Sequence, residues 1–495
     1  MYRYKNFLCL VFVVAISILA ACAPSAASKS RADALITAGN IPPPEELRVG
    51  EYLNYYKQNF PAPVNTTLGL DTRLGNAQVP TSGGEAWLQI GLQARDGANE
   101  IIAPLNLALV IDRSGSMNTA DKMPLVKQSL RTFLHSLAPN DVVTIVTYDD
   151  TAQVLAPPQA VGDGRWIDQA VEQITPGGKT NIYAGLERGF QEVARTFDMR
   201  RNNRVILLTD GIANVGVVDP NQIAAMARDY NERGIYLSTI GLGREYNDAL
   251  LSQLARQGKG AYHFVATAQD MDKIFRQDVN GLIQKAASNV RVVIQPAPGV
   301  RVLSVTGYEG AIPDGALTVK MQDMGTGDSQ ALLVQLNVPP SAAGTRPLAN
   351  IQLQYDDLFA SRAAEESRAL VANANVLPNY EPLWDVEVLR NVTIQRTAQG
   401  IKQIAQLYQA RQYEQAWQLA YQLEQQMRAV AQLTHEPQML QDADMLRRYQ
   451  ETLAKWVQQQ SGRAPQPAYA NEDTRPPERG RLPTPTLAST EIESQ

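Results

Sequence analysis

The sequence predicts an α/β fold class: a doubly wound, mostly parallel sheet inserted in or flanked by a β-sandwich, with a C-terminal helical hairpin or small bundle. Three observations predict it. Between about residues 105 and 285, short β-rich runs alternate with amphipathic helical stretches. Runs that alternate apolar and polar residues stand on both sides of that region. From about 382 to 459, Gln, Ala, Leu and Arg recur with helical spacing. A chain of 495 residues has room for about three domains of ordinary size.

Arg3 and Lys5 precede an apolar stretch over residues 7–20 (FLCLVFVVAISILA), the layout of a secretory signal, so residues 1–21 are expected to direct export. Leu19-Ala20-Ala21-Cys22 resembles the bacterial lipobox, which implies cleavage before Cys22 and acylation of its thiol and its new amine. The alternative is an uncleaved membrane anchor; both readings put the body outside the cytoplasm. Several acyl chains hold a protein to a membrane where one alone would not. Ala23 stands where an aspartate commonly retains such proteins in the inner membrane, which favours the outer membrane if the cell has one.

Residues 22–45 are small, polar and proline-rich and read as a lipidated flexible tether, with folded material starting near Leu47. In 46–104, EAWLQIGLQAR (85–95) is a candidate sandwich strand. In 105–285 the runs LNLALVID (105–112), VVTIVTY (142–148), RVILLTD (204–210), IYLSTIG (235–241) and AYHFV (261–265) are nearly continuous apolar segments, as strands buried on both faces require. Val126, Leu130, Phe133, Leu134 and Leu137 form one helical stripe, with Pro124 acceptable in the first turn. Residues 286–380 carry further alternating runs (NVRVVI, LTVKM, ALLVQLNV, ANIQLQY). With strand-like material on both flanks, one sandwich interrupted by the α/β unit is expected; two separate small β elements are the alternative. In 381–460, Trp417, Ala420, Leu423 and Met427 share one helical face, as do Leu446, Tyr449, Leu453 and Trp456, and His435 to Pro437 mark a break. Residues 461–495 have hardly a large apolar side chain and are expected to form a disordered tail.

Composition excludes several function classes. Lys plus Arg is 45 against 50 for Asp plus Glu, a net charge of -5, so no basic excess exists to neutralise nucleic-acid phosphates. The two cysteines are Cys9 and Cys22, so the body has neither a disulfide nor a Cys-ligated metal.

The first buried run ends in Asp112-Arg113-Ser114-Gly115-Ser116-Met117. Open α/β sheets bind ligands at the carboxyl ends of their strands, and oxygen-bearing residues at alternate positions around a glycine turn can converge on one hard cation. Gly177-Gly178-Lys179-Thr180-Asn181 and Thr209-Asp210-Gly211 offer the same chemistry at two further loops. Together, in this order, the three segments resemble the von Willebrand factor type A domain and its metal-ion-dependent adhesion site, over about 180 residues. The resemblance implies Ser114, Ser116 and Thr180 as direct ligands of Mg2+ or Mn2+, with Ca2+ an alternative, and Asp112 and Asp210 acting largely through water. Neutral hydroxyls leave most of the ion's charge uncompensated, so an open coordination position favours a carboxylate from a partner. A site that binds metal only to stabilise its loops is the alternative. Lys179 reads as a solvent-exposed lysine or as a contact for an acidic partner. The wider chain also resembles bacterial envelope proteins of the YfbK-like type, through ELRVGEYLNYYKQNF (46–60), LLTDGIANVG, YLSTIGLG, YNDALLSQLA and Val305-Thr306-Gly307-Tyr308-Glu309. That resemblance supplies no substrate or reaction.

Catalysis is not expected. His135, His263 and His435 are the only histidines, none beside a nucleophile motif, and no G-x-S-x-G, H-E-x-x-H or phosphate-loop signature occurs. The expected function is therefore a lipid-anchored extracytoplasmic binding protein that captures an acidic side chain of a protein partner through a divalent metal, with no small-molecule substrate. The alternative is an envelope assembly or scaffold factor in which the metal is a structural or conformational switch and the helical region docks the partner.

Overall fold

A computed structural model describes residues 27–467 except 97–103, 121, 244–245, 267–284, 309 and 361. The export segment, Cys22, Glu309 and most of the tail (468–495) lie outside the described residues. No described helix is long and apolar enough to cross a membrane.

The chain begins with two helices, α1 (Ala27–Thr37) and α2 (Val49–Tyr55), and three strands, β1 (Leu68–Leu74), β2 (Gln78–Pro80) and β3 (Gly84–Ala94). An α/β unit follows, with β4 (Leu105–Asp112), α3 (Met123–Leu134), β5 (Val142–Tyr148), β6 (Ala152–Ala160), α4 (Arg165–Glu172), α5 (Ile182–Arg195), β7 (Asn202–Thr209), α6 (Pro220–Glu232), β8 (Tyr236–Leu242), α7 (Asp248–Gln257) and β9 (Lys259–Val265). Its sheet has the order β6-β5-β4-β7-β8-β9, parallel except where β6 returns antiparallel along β5. Both faces of β4 are buried: Leu105, Leu107, Leu109 and Ile111 pack with α3 and α4, while Ala108 and Val110 pack with α5, α6 and α7. That two-sided burial is the physical reason its sequence is an unbroken apolar run. The unanticipated β6 carries Pro157 and Pro158, which lack donors and fit only where one ladder edge needs no partner; β6 is an edge strand.

The unit interrupts a β-sandwich. One sheet has the order β1-β3-β14-β11, with β11 (Arg301–Val305) and β14 (Ser329–Val338). The other has the order β12-β10-β15-β16-β2, with β10 (Lys285–Pro296), β12 (Leu317–Lys320), β15 (Gly344–Asp357) and β16 (Arg362–Asn375); β13 (Met324–Gly325) pairs with β10. Strands from before and after the insertion share one core. In β3, Leu88, Ile90 and Leu92 face the opposite sheet, while Trp87 faces the helical region. In β14, Leu332, Val334 and Leu336 face the opposite sheet, and Ala331 and Leu333 the helices. The period of two thus separates two buried interfaces.

The helices α8 (Val386–Gln409), α9 (Tyr413–Thr434) and α10 (Pro437–Ser461) form this C-terminal region. Gly400 lets α8 and α9 approach, since a Cβ there would lie 2.3 Å from Leu423 Cδ1. Polar contacts finish the seam with the sheet: Asn391 Nδ2 donates to Gln89 Oε1 at 2.7 Å and to Gln58 Oε1 at 3.0 Å.

Of the tether expected over 22–45, residues 22–26 lie outside the described residues, and residues 27–45 depart from that expectation. Residues 27–37 form a helix whose Ala27, Ala32 and Ile36 are buried, and α1 sits between the α/β unit and the helical region. Its charged side chains are what place it there. Lys29, 1% exposed, bonds Asp33 Oδ2 and Asp442 Oδ1 of α10, each at 2.8 Å. On the other side, Arg31 Nε bonds Glu46 at 2.7 Å, and Arg48 bridges Glu51 (2.7 Å) and Asp248 of α7 (2.7 Å). Asp248 also accepts from the Tyr262 hydroxyl. Composition reads such a segment as solvated, because polarity marks exposure until each charge finds a buried partner.

Breaking this network leaves buried carboxylates without their cation, so Arg48→Ala is expected to cost about 3 kcal/mol and to raise hydrogen exchange in α1 and α2. Burial pushes the Glu51 carboxyl up to about 7, against the pull of Arg48 and the Ser28 amide. A carboxyl whose folded value lies above its unfolded value holds its proton longer in the fold. Its stabilising contribution is therefore full in acid and is lost as pH rises toward and through about 7. Denaturation midpoints between pH 5 and pH 8 should fall less steeply for Glu51→Gln than for the wild type.

Candidate metal centre

The candidate residues lie at the carboxyl edge of the parallel sheet. Asp112 is the last residue of β4, whose neighbours β5 and β7 both follow it in the chain but lie on opposite sides, the switch point where open sheets take ligands. Asp112 is 0% exposed. Its Oδ2 accepts from Thr209 Oγ1 at 2.6 Å and from the Tyr148 hydroxyl at 3.3 Å, and its Oδ1 accepts from the Ser114 amide at 2.8 Å. Thr209 and Tyr148 end β7 and β5, so three adjacent strands meet on this carboxylate. Burial pushes the carboxyl up from the ordinary range, and the Thr209 and Ser114 bonds draw it partly back.

A single 3-10 turn, Gly115–Met117, folds the serine loop over the strand end. Ser114 Oγ and Ser116 Oγ lie 3.1 Å apart, and Ser116 Oγ donates to Asp210 Oδ1 at 2.8 Å. Asp210, buried just after β7, is held on its other oxygen by Lys122 Nζ at 2.5 Å. The third segment is laid against the first by two backbone bonds, Gly115 N–H to Gly178 O (3.0 Å) and Gly177 N–H to Arg113 O (2.7 Å). Gly178 has φ +76°, and a Cβ there would come within 2.5 Å of Asp150 Oδ2.

Thr180 is buried and is clamped by Asn214, which accepts from its amide at 2.9 Å and donates its own amide to the Thr180 carbonyl at 3.1 Å. A Cβ on Gly211 would lie 3.2 Å from Thr180 Oγ1 and 3.8 Å from Asp112 Oδ2, so the Thr180 hydroxyl faces the same small cradle as Asp112. Asn181 starts α5 by accepting from the Ala184 amide at 3.1 Å.

The structure thus brings together all five residues named from three distant segments: Asp112, Ser114, Ser116, Thr180 and Asp210. Four are buried and Ser116 is exposed, so the cluster opens to solvent on the Ser116 side. Lys179 is exposed, its amide bonded to Asp150 Oδ2 at 3.1 Å. Three hydroxyls and two carboxylates suit a hard divalent cation. Among the described residues, no group of three or more His, Cys, Asp or Glu side chains could hold a metal, so any ion bound here depends on the hydroxyls. Thr209, Tyr148, Asn214 and Lys122 escaped the sequence reading as parts of the site. Thr209 stands beside Asp210 in a motif already noted, whereas no spacing rule points to the other three.

Residues 106–277 match the family model for the von Willebrand factor type A domain. This segment is a von Willebrand factor type A domain. Such domains typically act as metal-dependent protein-interaction modules whose adhesion site binds divalent metals, and proteins that carry them are mainly interaction modules rather than enzymes. Over 281 residues the chain is 31% identical to the uncharacterized protein YfbK of Escherichia coli, covering 55% of this chain and 48% of that one. The match thus spans about half the length of that relative. Identity to the uncharacterized protein sll0103 of Synechocystis is 27% over 342 residues, covering 66% of this chain and 79% of that one. The solved structure of a von Willebrand factor type A protein from Catenulispora acidiphila aligns with a TM-score of 0.53 at 16% identity, over 74% of this chain and 89% of that one, a likeness of fold.

In this type A domain the Thr209 hydroxyl is the shortest bond to the buried Asp112 carboxylate. Thr209→Val should therefore lower stability by about 1–3 kcal/mol, read as a shift of the denaturation midpoint, with the sheet intact by circular dichroism.

Proposed function

We propose that the protein is a lipid-anchored, extracytoplasmic binding protein, fixed at Cys22, that captures an Asp or Glu side chain of a protein partner through a divalent ion, Mg2+ or Mn2+. Ser114, Ser116 and Thr180 hold the ion, and Asp112 and Asp210 orient those hydroxyls. The observation that carries the reading is the convergence of three hydroxyls and two nearly buried carboxylates at a cradle that opens at Ser116. A divalent ion held mainly by neutral oxygens keeps a strong attraction for an added anion. When bound, it supplies a Lewis-acidic contact for a carboxylate; the chain's own residues orient the ligands and exclude water from the buried side.

The reading contains no catalytic step. His135 faces Asp168 on the surface, His263 lies in edge strand β9 and His435 caps α9, all away from the cluster. The helical region covers the outer face of the β1-β3-β14-β11 sheet, which favours an internal packing role for it over a free docking arm.

Because α1 belongs to the fold, the body suited to capture experiments begins before residue 27. With the Cys22→Ser protein, a partner should be retained in Mg2+ and released by EDTA. Ser116→Ala should lose that retention at least tenfold with its fold intact, being exposed, whereas the buried Asp112 cannot be removed so cleanly. Calorimetry showing neither Mg2+ nor Mn2+ binding at millimolar concentration would sink the proposal. Lipidation is tested separately: Cys22→Ser should abolish incorporation of labelled palmitate.

A further inference from the structure

The candidate centre contains a cation of its own. Lys122 stands immediately before α3, and its ammonium reaches back across the serine loop to Asp210 Oδ2 at 2.5 Å and to the Ser116 carbonyl at 3.2 Å. The side chain is only 20% exposed and its partner carboxylate 0%. Its stem runs past Gly243, where a Cβ would lie 3.8 Å from Lys122 Cε. Asp210 is therefore divided: one oxygen receives the Ser116 hydroxyl and the other the ammonium. Of the neighbouring cations, Arg113 is matched by Asp149 at 2.6 Å and adds no net charge, and Lys179 is exposed to solvent.

We infer that Lys122 sets the charge of the metal centre and thereby favours capture of an acidic partner by the loaded centre. This rests on the reading that a divalent ion binds among Ser114, Ser116 and Thr180. Asp112 and Asp210 alone would neutralise such an ion. With Lys122 bonded to one of them, the loaded centre retains a positive charge. Two consequences follow from Coulomb's law in a partly buried site. The ion is held more weakly than the two carboxylates would hold it, and an arriving carboxylate is held more strongly. The ion and the carboxylate also attract each other directly, so each tightens the other whichever residue stands at position 122. Lys122 thus acts as a positioning and charge-setting residue that trades affinity for the ion against affinity for the acidic partner.

The test uses the full mature protein in detergent, with Mn2+ counted by the paramagnetic signal of the free ion and acetate as the carboxylate probe. Lys122→Gln should bind Mn2+ about tenfold more tightly than wild type, and the Mn2+-loaded variant should need more acetate for half-saturation than the loaded wild type. Lys122→Arg should behave as wild type. Lys122→Met keeps the apolar stem beside Gly243 and repeats the measurement if Gln disturbs the loop. A purely structural lysine would give weaker or unchanged Mn2+ affinity in both neutral variants, and that result overturns the inference while leaving the proposed metal site standing. Wild type and variants that all fail to bind Mn2+ at millimolar concentration overturn both.

Discussion

A carboxylate without exposed surface, at the tip of the central strand, is the constraint on which the rest of the site depends. Asp112 is kept there by the Thr209 and Tyr148 hydroxyls and the Ser114 amide, groups from the two flanking strands and from its own loop. Burying a charge costs several kcal/mol unless its lone pairs are satisfied, so these bonds must all form together. Once they do, the serine loop has one direction in which to leave the strand, and Ser116 comes to face Asp210 with Ser114 beside it. The placement of the hydroxyls follows from satisfying an anion.

The surrounding architecture serves to keep that edge rigid. Helices on both faces of the parallel sheet bury its strands, and the chain enters and leaves this domain from a sandwich built of both flanks. The sandwich is itself braced by α8, α9 and α10, so β3 and β14 are covered on either side. A site of this kind tolerates little relaxation, because hydroxyl ligands contribute weakly one by one and need fixed positions.

Much of this was legible in the sequence where burial and polarity agree. LNLALVID and VVTIVTY coincide with β4 and β5 at both ends, because strands buried on two faces admit only apolar residues. The five candidate site residues were legible because their spacing is tied to strand ends. The reading failed where polarity and burial part company. The tether reading missed α1 because Lys29 and Arg31 are buried only by virtue of Asp442 and Glu46, residues far off in the chain or beyond a turn. It missed β16, whose RAAEESRALVANAN is mostly exposed on a sheet face, and β6, whose prolines argue against a strand anywhere but an edge. Lys122 was invisible for the same reason: a lysine six residues past a serine has no meaning until the loop closes on Asp210.

The first helix has a mechanical consequence. α1 is wedged in a seam, ionically riveted to α10 on one side, while Arg48 and Asp248 fasten its neighbouring turn to α7 on the other. Any tension on the chain upstream of residue 27 is delivered to that seam as shear between the type A domain and the helices. If the seam yields first, the two bodies part at a joint held by charge, and because these pairs are buried, added salt loosens it little until it has begun to open.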